Sequence, residues 1–237
     1  MTPGRAAAGA IGAAGAIGAV AWALPAPAVH IAPLCDVLGI SRRLELGPDA
    51  VGITFDDGPH PEGTPAVLDA LARFGVHATF FVVGEQIRRE PALVREIAAA
   101  GHRLAVHGDR HRALTIEPPM RLRADLDRCA ALIGELTGQV PDCYRPPYGI
   151  FSPAGLIESR RRGWTPLLWS ASGRDWRAEA TGESICRRVT RSLGPGDVVL
   201  LHDADHYSSP GSWRGTADAV PRILDAIASR GLRAVAV

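Results

Sequence analysis

Cysteine is scarce and poorly spaced for chemistry. The four present, Cys35, Cys129, Cys143 and Cys186, form no C-x-x-C pair, so neither a thiolate zinc site nor a thioredoxin-type redox centre of the usual spacing is available. Their plain reading is buried free thiols; in an exported domain Cys129 and Cys143 could instead be joined across a helix-to-strand connection. An excess of one charge is also missing. Lys and Arg number 26 against 25 Asp and Glu, a formal net charge of +1, which gives no sign of a nucleic-acid surface. Beyond the N-terminal stretch there is no low-complexity segment and no internal repeat. What remains is an ordinary globular composition, 46% hydrophobic and 22% charged in 237 residues. That length suits one domain with a full core once the first few dozen residues are set aside.

Those first residues differ from the rest. Arg5 precedes an uncharged run from Ala6 to Leu24 of Ala, Gly, Ile, Val, Trp and Leu, and Ala26-Pro27-Ala28 resembles a small-residue cleavage site. The run is long enough for one membrane span and equally suits an export signal. The alternative is a flexible leader, since Ala and Gly are weakly hydrophobic. The chain thus divides into a signal or anchor (1–30), a linker (31–49) and a catalytic domain (50–237). The domain is expected outside the cytoplasm, anchored or secreted, and monomeric.

From residue 50 onward, short β-rich runs alternate with longer amphipathic ones between Gly, Pro and Asp punctuation. Strands are expected at 51–55, 77–83, 103–107, 142–145, 165–170, 197–202 and 232–237, and helices at 64–74, 91–100, 120–137, 153–162, 184–193 and 212–230. This rhythm implies parallel strands with helices outside, in a TIM-like barrel or a doubly wound sheet. The chemically suggestive residues fall at or just past strand ends, where such folds gather their sites.

The run from Val51 to Pro59 ends a strand in two adjacent acids, Asp56 and Asp57, followed by a turn. Neighbouring side chains there point different ways, so one can bind a cation while the other is free as a base; alone, the motif could be an exposed turn. His107 and His111 stand four apart, a spacing that supplies two nitrogen ligands to zinc with a carboxylate as the third; alone, they could be solvent-facing loop residues. Tyr144-Arg145-Pro146-Pro147-Tyr148-Gly149 is a stiff turn, fit to hold an amide donor and an arginine that keeps a carboxylate ionised. Asp175-Trp176 and Leu200-Leu201-His202-Asp203 close the series. His202 suits a general acid, with Asp175 as its possible partner, although a core histidine and a packing tryptophan are the simpler readings. Between Asp203 and Trp213, Tyr207 and Trp213 could stack on sugar rings or serve only as surface loop and core.

Taken in order, these five motifs resemble those of the NodB-homology polysaccharide deacetylases, over roughly residues 50–237. The resemblance implies an α/β fold, a distorted TIM-like barrel with about seven parallel strands. It makes Asp56 the catalytic base, paired with Arg145, and His202 the general acid, tuned by Asp175. Asp57, His107 and His111 become ligands of a divalent metal ion, usually Zn2+. Tyr148 offers its backbone amide to the oxyanion, and Trp176 and Leu200 wall the acetyl pocket. The implied activity is metal-assisted hydrolysis of N-acetyl groups on a glycan such as peptidoglycan or chitooligosaccharide. Same-fold alternatives are an O-acetyl esterase, or a deformylase or amidase of a lipid-linked sugar or small molecule; a non-catalytic carbohydrate-binding module is the other class. One position departs from the family: Gly108 stands where Ser or Thr is usual after the first histidine. This removes a supporting hydrogen bond that Asp109 or Arg110 would have to replace.

Overall fold

The computed structural model describes residues 31–113 and 117–237. The signal or anchor expected at 1–30 lies outside the described residues. Among the described residues, no helix is long and apolar enough to cross a membrane.

In chain order the elements are α1 (Ala32–Leu38), β1 (Ala50–Asp56), α2 (Gly63–Phe74), β2 (Thr79–Val82), α3 (Gly84–Arg89), α4 (Pro91–Ala99), β3 (Arg103–Val106), α5 (Pro119–Thr137), β4 (Cys143–Tyr144), α6 (Pro153–Arg161), β5 (Thr165–Pro166), β6 (Ala171–Ser172), α7 (Gly182–Thr190), β7 (Val198–His202), α8 (Ser212–Ala228) and β8 (Arg233–Val235). All strand pairs are parallel, in the order β5-β4-β3-β2-β1-β7-β6. β8 pairs with the first half of β1, from Ala50↔Arg233 to Gly52↔Val235. The expected α/β barrel is therefore present as an open, curled sheet with helices outside. The run expected as one strand at 165–170 is a strand only at its start, β5, and β6 follows just past it; these two form the unjoined edges of the sheet.

Strand alternation sorts the residues into two layers. Val51, Ile53 and Phe55 of β1 pack outward with Val67, Leu71 and Ile223 from the helices. Phe81, Ala105, Cys143, Leu167, Val198 and Val237 form a small inner cluster. Gly52 belongs to the inner set, and a Cβ there would come within 2.2 Å of Val237 Cγ1, so only glycine lets the last residue fill the barrel floor. Val237 is fixed there by the Thr79 hydroxyl, which donates to its carbonyl oxygen at 2.8 Å.

Of the two readings open for Cys129 and Cys143, the free-thiol one holds, because they lie in different layers: Cys129 packs between sheet and helices with its Sγ donating to Val82 O at 3.4 Å, and Cys143 faces the inner cluster. Residues 31–49, expected as a linker, are packed. Cys35 and Ile40 are buried, Ser41 bridges to Leu167 just past β5, and Arg43 bridges to Asp197 just before β7. The segment thus laces the open side of the sheet, satisfying backbone groups beside β5 and ahead of β7 that would otherwise be exposed.

Candidate active site

β1 delivers Asp56 to the mouth of the barrel, and the next residue turns sharply. Asp57 has φ 78, a conformation L-residues rarely adopt outside functional sites. Its Oδ1 lies 3.3 Å from His107 Nε2 and 3.2 Å from His111 Nε2, and is buried without a hydrogen-bond partner. Burial would raise the Asp57 pKa, yet the close His107 and His111 imidazoles, with the charge of His202, hold it far below the usual carboxylate range. His107 Nδ1 is 2.7 Å from Arg145 O. A carbonyl can only accept, so Nδ1 carries the proton and the Nε2 lone pair faces Asp57.

Arg145 is the largest fully buried side chain. Its guanidinium lies inside the barrel over the Phe81 ring, 4.1 Å from the centroid. It donates to Asp56 Oδ1 at 2.6 Å, Thr54 Oγ1 at 2.9 Å, and the carbonyls of Leu168 and Leu167 at 2.9 and 3.3 Å. Asp56 is thereby fixed through one oxygen, while its Oδ2 lies 3.9 Å from His107 Nε2.

His202 is the register partner of Asp56 across the β1–β7 pair. Its Nδ1 is 3.1 Å from Asp175 Oδ1, while Asp175 Oδ2 accepts from the His202 backbone N–H at 2.6 Å and the Thr216 hydroxyl at 2.9 Å. Burial would lower the His202 pKa, but Asp175, with Asp57 and Asp56 beyond it, raises it to about 10. His202 Nε2 is 4.0 Å from Asp57 Oδ2.

These groups open into a cavity of about 800 Å³, whose walls include Tyr148, Trp176, Leu200 and Tyr207. Trp176 meets His202 edge-on at 5.4 Å between ring centroids. Tyr148 is at φ 60, and its N–H takes no part in the loop's backbone hydrogen bonds, which run from Gly149 to Pro146 and from Ile150 to Pro147. Of the two aromatics in the 203–213 segment, only Tyr207 lines the cavity. Trp213 packs near His60, 5.9 Å between rings, with Arg214 over its own ring at 4.4 Å.

Around the second histidine the structure shows what sequence reasoning missed. His111 Nδ1 is buried with no hydrogen-bond partner. Its ring is held by contact instead: Tyr207 stacks on it at 3.9 Å and 10°, and Tyr148 meets its edge at 4.6 Å. Tyr207 is tied down in turn, its hydroxyl donating to Glu85 at 2.5 Å and accepting from Gln86 at 2.8 Å. The 107–111 loop rests on Asp125 of α5, fully buried, which accepts the Asp109 N–H at 2.7 Å. Asp109 itself binds Arg88 at 2.6 Å and Arg128 at 2.9 Å, whereas Arg110 is exposed. Only Asp109 of the two expected substitutes is therefore engaged, and Asp125, whose helical setting gave no motif, is the acceptor beneath the loop.

Gly108 fits this arrangement at φ 112, where a Cβ would lie 3.1 Å from Asp125 Oδ2. Gly108→Ser, although it restores the family's usual residue, is expected to cost about 1–3 kcal/mol of stability in urea unfolding. An unchanged midpoint would mean that the loop relaxes freely.

A second cluster, His60, Asp205 and His206, brings three ligand-type atoms within 4.8 Å of one another. His60 Nδ1 accepts the Gly63 N–H at 2.9 Å, which puts the ring proton on Nε2, 3.2 Å from Asp205 Oδ1. That is a closed hydrogen-bonded corner, with no lone pair at Nε2 to offer a cation.

Comparison with known proteins agrees with this fold. A chitooligosaccharide deacetylase of Bradyrhizobium sp. is 37% identical over 177 residues, 74% of this chain and 79% of that protein. A peptidoglycan-N-acetylglucosamine deacetylase of Bacillus cereus is 33% identical over 189 residues, 79% and 85% of the two chains. The crystal structure of the Bc1960 peptidoglycan N-acetylglucosamine deacetylase in complex with a naphthyl N-oxidanyl-benzamide superposes with a TM-score of 0.76 at 29% identity, covering 82% of this chain and 88% of that one. With residues 43–165 also matching the polysaccharide deacetylase family as a whole, the chain belongs to that family.

Proposed function

We propose that the protein is a metal-dependent N-deacetylase of glycans, acting outside the cytoplasm on peptidoglycan- or chitooligosaccharide-like chains. The observation that carries this reading is the facing of acceptors at Asp57. A buried carboxylate oxygen without a hydrogen bond looks at two imidazole nitrogens at 3.2 and 3.3 Å. Ligands at about 2.0–2.1 Å on a tetrahedral cation stand roughly this far apart, and one carboxylate with two imidazoles is a donor set that suits Zn2+. A divalent ion held by Asp57, His107 and His111 would polarise the acetamide carbonyl and acidify a water at an open position.

The chain's own groups then divide the remaining work. Asp56, anchored to Arg145 through Oδ1, presents Oδ2 to take a proton from the attacking water. The Tyr148 N–H stabilises charge growing on the carbonyl oxygen. His202 donates its Nε2 proton to the departing sugar nitrogen, so the C–N bond breaks to give acetate and a free amine. Trp176 and Leu200 enclose the acetyl methyl group. A carbohydrate-binding module has no use for so complete a set, which favours catalysis.

Acetate release from N-acetylglucosamine oligomers and from peptidoglycan tests the reading. Release is expected to vanish after chelation and to return with added zinc. A zinc-loaded protein that releases no acetate from either sends the assignment to another acyl substrate, while release that survives complete chelation removes the metal from the chemistry.

The histidine acid adds a pH signature. A folded pKa raised above the ordinary value of about 6.5 keeps His202 protonated through neutrality. Its contribution to stability is full below about pH 6.5 and disappears as pH rises through the folded pKa. A cation at Asp57 opposes the Asp57 share of that rise, placing the alkaline limb of kcat below 10. Asp175→Asn removes the largest charge holding the proton on and is expected to move the limb further toward neutrality. A limb that stays in place assigns the acid elsewhere.

A further inference from the structure

Beside the active-site cavity lies a second one of about 630 Å³, which is lined by Arg174, Arg187, Arg188 and Arg191 together with Ser172 and Ser192 and contains no carboxylate. Ser170, Ser172 and Arg174 line both cavities, so the two adjoin across one wall. Among the described residues only Arg187 of these four arginines has an ion-pair partner, Glu183 at 3.3 Å. The active-site cavity adds Arg42 and Arg177 on its own rim, and its only acids are Asp56 and Asp57.

Helix electrostatics explain part of this. Arg187 and Arg188 close the last turn of α7, where cations are favoured. Arg191, the C-cap of α7, stands at the same favoured end, but Arg174 arrives from the loop after β6 with φ 52. A non-glycine residue in that conformation pays strain to place a long cationic side chain on the shared wall. Unpaired guanidiniums around a concave, serine-lined space are well matched to carboxylates, which they bind through paired hydrogen bonds.

The geometry points to an anion-binding subsite next to the acetyl pocket, which takes carboxylate groups of an acidic glycan while a neighbouring N-acetyl sugar is processed. This deepens the deacetylase reading and rests on it for the second half of that statement. The subsite selects substrate chains that carry acids over neutral ones of the same length.

The test uses two probes: a tetrasaccharide of alternating N-acetylglucosamine and N-acetylmuramic acid with free carboxylates, and the same compound with its carboxyls reduced to alcohols. Binding is measured calorimetrically at low and high salt, and acetate release in parallel. The wild type is expected to bind the acid probe about tenfold more tightly, a preference that shrinks as salt screens it. Arg188→Glu with Arg191→Glu should abolish the preference, and Arg188→Lys with Arg191→Lys should keep most of it, which separates lost charge from a damaged fold. Equal affinity for both probes in the wild type, or a preference untouched by charge reversal, overturns the subsite. A preference without acetate release leaves the subsite standing and sinks the deacetylase reading; acetate release without a preference does the reverse.

Discussion

Arg145→Met is expected to destabilise the protein by about 3–5 kcal/mol, because it strands a buried carboxylate with no counter-charge. The pair involved is almost wholly enclosed: the Arg145 side chain is 0% exposed and that of Asp56 4%. The same change releases the carbonyls of Leu167 and Leu168 and the Thr54 hydroxyl from the buried guanidinium. Methionine retains much of the volume over Phe81, so the loss reports charge and hydrogen bonding more than a cavity. Urea unfolding reads it. Adding Asp56→Leu to Arg145→Met removes the stranded acid, and most of the stability should return, since buried ion pairs are often replaceable by apolar ones. Activity should not return, because Oδ2 of Asp56 is gone. If the double variant is no more stable than the single, the cost lies in the lost carbonyl contacts instead.

Asp56→Asn should lower kcat by about 10²–10⁴, the range for removing a positioned base. The amide fills the same space and its oxygen can still accept from Arg145, so zinc affinity is expected to hold, while the buried guanidinium, left without its counter-charge, lowers the unfolding midpoint by part of the Arg145→Met loss. Asp57→Asn separates the two acids: it takes charge from the oxygen that faces His107 and His111, and zinc affinity should fall with activity. Equilibrium zinc competition against a chromophoric chelator distinguishes them. Zinc lost equally from both variants would mean that the adjacent acids share one role.

These contrasts were legible from sequence because parallel strands convert linear motifs into a ring. Each strand end reaches the same face, so Asp56, His107, Arg145, Asp175 and His202, far apart in the chain, had only one place to meet. The helices from Pro91 and Pro153 were visible through proline at their first turns, and the one expected at 120–137 through amphipathic spacing. Other features leave no local trace. Asp125 looks like any acid on a polar helix until α5 docks beneath the 107–111 loop. The split between β5 and β6 is hidden because Leu167, Leu168 and Trp169 continue a strand-like pattern through the break. The packing of 31–49 depends on β5 and the approach to β7, distant in sequence, and the arginine cavity on a loop and a helix end that only the fold brings together.

The laced segment also fixes a direction. α1 packs at the C-terminal turn of α6, where Arg160 donates to Leu38 O, and α6 ends just before β5 begins. The end of α1 at Leu38 therefore lies at the floor of the barrel, while Asp57 and its neighbours occupy the rim at the other end of the strands. A surface that met this floor would hold the molecule like a cup set on its base, with the mouth turned away from the supporting surface. Strands of polymer passing above that surface would then be within reach, and those lying flat beneath the cup would not.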